Sequence, residues 1–201
     1  MHHSRTGRRG PKAWGWRTVV CIASGPSLTA DDCERVRQWR HARPEEEGRR
    51  VVCVNTTFRM TPWADAVFAI DRDWWKQYGA EVQGLACERL SMRLNRHGAK
   101  PAGIGEHGNS GAGAISLAAL RGASRVILLG YDVQYTGGKR HWHGDHPRSL
   151  GNAGSIAQWP EHFEKVAKLL IGVEIINCSR ETALRCFPRE RLEVALCSSV
   201  D

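Results

Sequence analysis

The apolar residues of this chain come in short unbroken runs, and helical patterns separate the runs. "RTVVCIA" over about 17–23, "RRVVCVN" closing at Asn55, "ADAVFAID" closing at Asp71, "SRVILLGYD" closing at Asp132 and "VEIINCS" near 173–179 are dense in Val, Ile and Ala with no polar alternation. Strands buried on both faces have this composition, because a parallel sheet covered by helices offers neither face to water. A further short strand is expected within 86–95. Between the runs, "TADDCERVRQW" predicts a helix whose Thr29 and Asp32 are spaced as a capping box. "RDWWKQYG" predicts a short helix, "NSGAGAISLAALRGA" a helix over about 110–121, and "EHFEKVAKLL" a helix from Pro160, a residue suited to a first turn. "RETALRCF" predicts a short helical tail. Strand and helix in alternation give an α/β class, with a mostly parallel sheet flanked by helices on both faces.

Sheets of that kind bind ligands beyond the carboxyl ends of their strands, at the point where the strand order reverses. The polar residues of this sequence collect at those ends. "SGPS" (Ser24, Gly25, Pro26, Ser27) follows the first run, Asn55 the second and Asp71 the third. Asp132 ends the most apolar run, and Asn109, Ser110 and Gly111 open a helix on the same rim. Gly25 permits a close backbone approach, and free N–H groups at a helix start hold anions. Each group has a plain structural role as well: a turn for "SGPS", an N-cap for Asn109 or Ser110, a cap or turn for either aspartate. Neither a GxGxxG nor a Walker loop is present.

After Asp132 comes "VQYTGGKRHWHGDHP", with His141, His143 and His146 in a glycine-rich charged loop. Metal binding, proton transfer and phosphate neutralisation are the chemistries open to it. The spacing matches no established zinc pattern, whereas an imidazole titrating near 6.5 serves readily as a general base. A solvated polar loop is the plain alternative. Trp142 within it either stacks on a ligand ring or packs against the sheet, and His107 stands close to "GNSG".

Composition adds bounds. A length of 201 residues suits one domain, and 41% hydrophobic with 25% charged residues is ordinary globular usage. No apolar run reaches the roughly 18 residues of a membrane span, and the opening lacks the apolar stretch of a signal peptide, so a cytoplasmic protein is expected. Seven cysteines without a CxxC pair fit a reducing compartment better than a disulfide framework. The formal charge of +8 owes part to "MHHSRTGRRGPK". Residues 1–16 are therefore expected to form a flexible basic arm, either solvated or touching a polyanion, and 17–201 a single domain. A non-enzymatic nucleic-acid-binding protein stays open on charge alone, although no recognised nucleic-acid motif occurs.

The order of "SGPSL" at 24–28, "VN" at 54–55, "AVFAID" at 66–71, "NSGAGAISLAALRGASRVILLGYD" at 109–132 and "INCS" at 176–179 resembles the small bacterial sialyltransferases and the related pterin pyrophosphokinase-like family of archaea and phages. Tyr135, the histidine segment and "EHFEKVAKLL" then follow in the sialyltransferase order. The resemblance implies a Rossmann-like domain binding CMP or another nucleotide, free or as a nucleotide-sugar donor. It implies that Gly25, Pro26 and Ser27 approach phosphate, that Asn55 and Asp71 contact base or ribose, and that Ser110 with Gly111 seats the nucleotide. Tyr135 would face the leaving phosphate, and His143 or His146 would deprotonate the acceptor hydroxyl. No metal or other cofactor is required on that reading.

Two departures bear on it. The chain is shorter than typical sialyltransferases and lacks a lid insertion, which leaves donor sugar and acceptor open. Asp71 stands where the sialyltransferase pattern has an amide. Asp71 and Asp132 would then hold Mg²⁺ against ATP phosphates, as in the pyrophosphokinase branch. A phage enzyme working in its host's cytoplasm on a glycan or modified nucleic acid would suit the small size, and the oligomeric state stays open.

Overall fold

A computed structural model describes residues 15–44, 47–95, 97–147 and 150–197. Seven strands form its sheet: β1 (Thr18–Ile22), β2 (Arg49–Val54), β3 (Ala66–Phe68), β4 (Glu88–Ser91), β5 (Lys100–Pro101), β6 (Arg125–Leu129) and β7 (Glu174–Asn177). They lie in the order β5-β4-β3-β2-β1-β6-β7, and every adjacent pair is parallel. The sheet is thus wholly rather than mostly parallel, in an α/β, Rossmann-like arrangement.

The unbroken apolar runs are explained by two cores. Along β1, Val19 and Cys21 enter one apolar cluster while Val20 and Ile22 enter the other. In β6, Val126 and Leu128 face the first cluster, and Ile127 and Leu129 the second. A strand whose successive side chains meet two cores has no position left for a polar residue. Helices α3 (Ser110–Leu120) and α4 (Trp159–Leu169) supply the first core with Ala114, Ile115, Phe163 and Val166. The second core draws on α1 (Ala30–His41), α2 (Arg72–Gln83) and α5 (Leu192–Cys197) through Val36, Trp74, Trp75 and Leu192.

Thr29 and Asp32 form the expected capping box on α1, and Asp32 also accepts two hydrogen bonds from Arg180 (2.9 and 2.8 Å). The expected strand within 86–95 is β4. β5 went unforeseen; its Pro101 sits on the edge strand, where a missing N–H costs no ladder bond. α2 runs one turn beyond "RDWWKQYG". The helical tail expected over 180–187 is absent. Thr182 turns its hydroxyl to the Tyr131 carbonyl (2.7 Å) and accepts from the Leu184 N–H (3.0 Å), while the Ala183 N–H bonds the Asp132 carbonyl (2.8 Å). These bonds pin the segment in extended form against the end of β6, and helix resumes at α5.

Of the expected basic arm, residues 1–14 lie outside the described residues. Its last residue belongs to the domain: Trp16 is 6% exposed, and Arg121 lies over its ring at 5.4 Å. No described helix is long and apolar enough to cross a membrane.

Candidate functional site

The strand order reverses at β1, which has β2 on one side and β6 on the other. Beyond the carboxyl ends of these strands opens a cleft of about 370 Å³. Ser24, Gly25 and Pro26 line it from β1, Asn55 from β2, Asp71 from β3 and Asp132 from β6. Asn109, Ser110 and Gly111 at the start of α3 complete that wall, and His141 and His146 enter from the loop. Residues scattered from 24 to 146 thus meet in one place, because a parallel sheet delivers every strand's carboxyl end to the same rim.

The backbone after β1 is locked to the end of β6. The Gly25 N–H bonds the Gly130 carbonyl at 2.8 Å, and a Cβ on Gly25 would sit 2.1 Å from Asp132 Oδ1. No side chain fits there. Ser27 donates its N–H (2.8 Å) to one oxygen of Asp132 and its hydroxyl (2.8 Å) to the other, and the Thr136 hydroxyl (3.0 Å) joins them. Asp132 is 1% exposed, and burial raises its carboxyl pKa against the pull of those bonds. Both oxygens are occupied, so Asp132 works as a clamp between two loops, and the Ser27 donors expected at a phosphate are spent on it. Val133, next in the chain, has φ of 51°, a conformation that costs a β-branched residue appreciable strain.

Asn55 also adopts a left-handed conformation, with φ of 52°, and opens a 3-10 turn over Asn55–Arg59. Its amide oxygen is buried with no hydrogen-bond partner. Asp71, the N-cap of α2, makes no capping bond with its side chain. It is reachable by solvent yet ringed by protein, so desolvation first and the charge of Asp73 second raise its pKa. Asn109 is the N-cap of α3 and accepts from the Ala112 N–H at 2.8 Å; its amide nitrogen and His162 Nδ1 lie 3.2 Å apart. The Ser110 hydroxyl accepts from the Ile70 N–H (3.2 Å) and keeps its own proton to give. The first N–H groups of α3 lie beside it with no helical acceptor, at the positive end of the helix dipole.

The three loop histidines converge, with ring centroids 5.1 Å (His141–His143), 5.0 Å (His141–His146) and 4.6 Å (His143–His146) apart. A hydrogen bond of 3.1 Å joins His141 Nδ1 to the Ser24 hydroxyl, and one of 2.9 Å joins His146 Nδ1 to the Tyr78 hydroxyl on α2. The loop therefore straps β1 to α2. His146 is further fixed by Asn152, which accepts its N–H and donates to its carbonyl. Burial, the neighbouring rings and Arg59 depress His143 to about 3, and the same causes depress His146 to about 4. His141 is also lowered, chiefly by burial. All three are neutral at neutral pH. Among the described residues no three His, Cys, Asp or Glu groups are arranged to hold a metal ion.

Not every expected residue reaches the cleft. His143 lies behind it, packed between His141, His146 and Trp142. Tyr135 is 49% exposed and does not line the cleft, although Arg140, which lies over its ring at 5.8 Å, does. Trp142 packs against the second core instead of presenting its face to a ligand. His141, one of the three loop histidines weighed above, lines the cleft, and so do Arg72 and Trp159, which were not singled out. For His141 the signal was present in "HWHGDH". For the other two nothing in the sequence separated a cleft wall from a helix surface. Comparison of the chain with protein-family models, curated proteins and solved structures gives no match.

Proposed function

We propose that this protein is a nucleotide-dependent transferase of the sialyltransferase-like kind, moving a group from a nucleotide phosphate to an acceptor hydroxyl. The observation that carries the reading is a cleft at the strand-order reversal where the start of α3 meets Asn55, whose buried amide oxygen has no hydrogen-bond partner. A buried acceptor without a donor costs about 1–3 kcal/mol, which a ligand N–H removes. The exocyclic amine of a nucleobase is such a donor. A phosphate then meets the α3 N-terminus and the Ser110 hydroxyl.

The chemistry asks for stabilisation of the leaving phosphate and removal of one proton from the acceptor. The start of α3 meets the first need. His146 meets the second: it lines the cleft, Tyr78 orients its Nδ1, and it is neutral before reaction. A bound phosphate nearby raises the basicity of the imidazole toward the useful range. Metal-assisted transfer from ATP draws less support. Asp132, one of the two carboxylates it would use, has both oxygens committed to Ser27 and Thr136, which leaves Asp71 alone. Nucleic-acid binding draws less still, because Arg40, Arg59 and Arg180 form ion pairs with Asp65, Glu81 and Asp32.

Thermal unfolding with CMP or ATP, each with and without Mg²⁺, is the direct test, since a ligand of the folded state raises its stability. CMP should raise Tm without Mg²⁺, and Asn55→Ala should weaken CMP binding about tenfold. His146→Ala should abolish transfer while CMP binding persists. A shift seen only with ATP and Mg²⁺ would replace this reading by pyrophosphoryl transfer, and no shift with either nucleotide would end it.

A further inference from the structure

A second and larger cavity, of about 830 Å³, lies beyond the carboxyl ends of β3 and β4. It shares Ile70, Asp71, Arg72 and Gly108 with the cleft, so the two adjoin along these residues. Its volume falls within the range of small-molecule pockets. Trp75 and Met92 give it an apolar wall, and Leu94, 73% exposed, stands at its edge. Lys76 is held by Asp73 at 2.6 Å. Arg72 and Arg93 are different: neither guanidinium forms an ion pair or side-chain hydrogen bond with any described residue, although the charge of Arg72 helps lower Asp73, and both residues line the chamber. The acidic lining residues are Asp71, which the cleft shares, and Glu106. A guanidinium is a planar double donor matched to carboxylate and phosphate. An apolar wall beside two unengaged guanidiniums fits a ligand with an anionic head and an apolar body.

We propose that this chamber binds a small molecule carrying an oxyanion on a partly apolar body, with Arg93 and Arg72 as its anion partners, and that this molecule is the acceptor of the transfer. The chamber as a ligand site stands on its own lining. Its assignment to the acceptor rests on the transferase reading above. An occupant there meets the cleft along the shared residues, so its reactive hydroxyl would be presented beside Asp71.

Ligand-observed NMR titration with 1-naphthoate, 1-naphthyl phosphate and the uncharged 1-naphthamide tests the site on the full chain. Either anion should bind at least tenfold more tightly than the amide, and which of the two binds tells carboxylate from phosphate recognition. Arg93→Ala and Leu94→Asp, both at exposed positions that leave the cores intact, should each weaken the anion at least tenfold. Saturating CMP should leave it bound. Binding of neither anion, equal binding of the amide, no effect of either substitution, or displacement by CMP would each overturn the proposal. If naphthoate binds while CMP gives no thermal shift, the transferase reading fails and the chamber survives. If CMP binds while the anions do not, the reverse holds.

Discussion

At the scale of single residues, the site is held by groups that serve two masters. Asp132 reads in the sequence as a strand-end carboxylate open to a cap, a turn or a metal, and in the fold it is a buried acceptor for Ser27 and Thr136. Asp132→Ala should cost about 2–3 kcal/mol in urea unfolding, because it strands a backbone N–H and two hydroxyls. Asp132→Asn, which keeps the shape and one acceptor, should cost less. A loss under about 0.5 kcal/mol for alanine would show that the clamp is not structural. The limits of the sequence show at this position. The Thr29–Asp32 cap lies within four residues and was legible, and Asn109 as a cap was one of two stated roles. The Ser27–Asp132 pairing joins the ends of neighbouring strands that lie 105 residues apart in the chain, and no local pattern encodes it.

At the scale of elements, strands were the most legible part, since burial on both faces leaves an unmistakable composition. Loops and short helices were less so. The segment 180–187 has helical composition, yet Thr182 is captured by Tyr131 and the chain stays extended. The histidine loop advertised its residue types but not their directions: His141 and His146 face the cleft, while His143 and Tyr135 do not. Packing three imidazoles together makes the strap sensitive to acid. In the fold His143 and His146 sit near about 3 and about 4, against an ordinary 6.5, so between those values and 6.5 the unfolded chain binds more protons. Stability should therefore fall as pH drops through that window and be insensitive to these two groups above it. His143→Gln with His146→Gln should flatten the dependence of Tm on pH between about 4 and 6.5. An unchanged slope would mean that the rings do not report on folding.

At the scale of the whole molecule, the two cores consume most of the reactive side chains. Cys21, Cys33, Cys53 and Cys178 are buried, Cys87 and Cys186 half-buried, and Cys197 alone is exposed. Burial pushes the thiols of Cys21, Cys33 and Cys178 up to about 12. A thiol reagent should modify one cysteine rapidly in the native protein and all seven after denaturation. Several fast-reacting thiols in the native state would contradict this packing. The overall charge was easy to count in the sequence, but its disposition was not, since pairs such as Arg125 with Glu174 (2.9 Å) form only when β6 meets β7. The contact of Gly25 with Asp132 has a consequence for inheritance. The space that glycine lacks is filled by the carboxylate of a residue far along the chain. A side chain at 25 would also meet the Gly130 carbonyl, 2.4 Å from its Cβ, so no exchange at 132 alone makes room for one. Any lineage of this protein should therefore keep glycine at 25, whatever stands at 132.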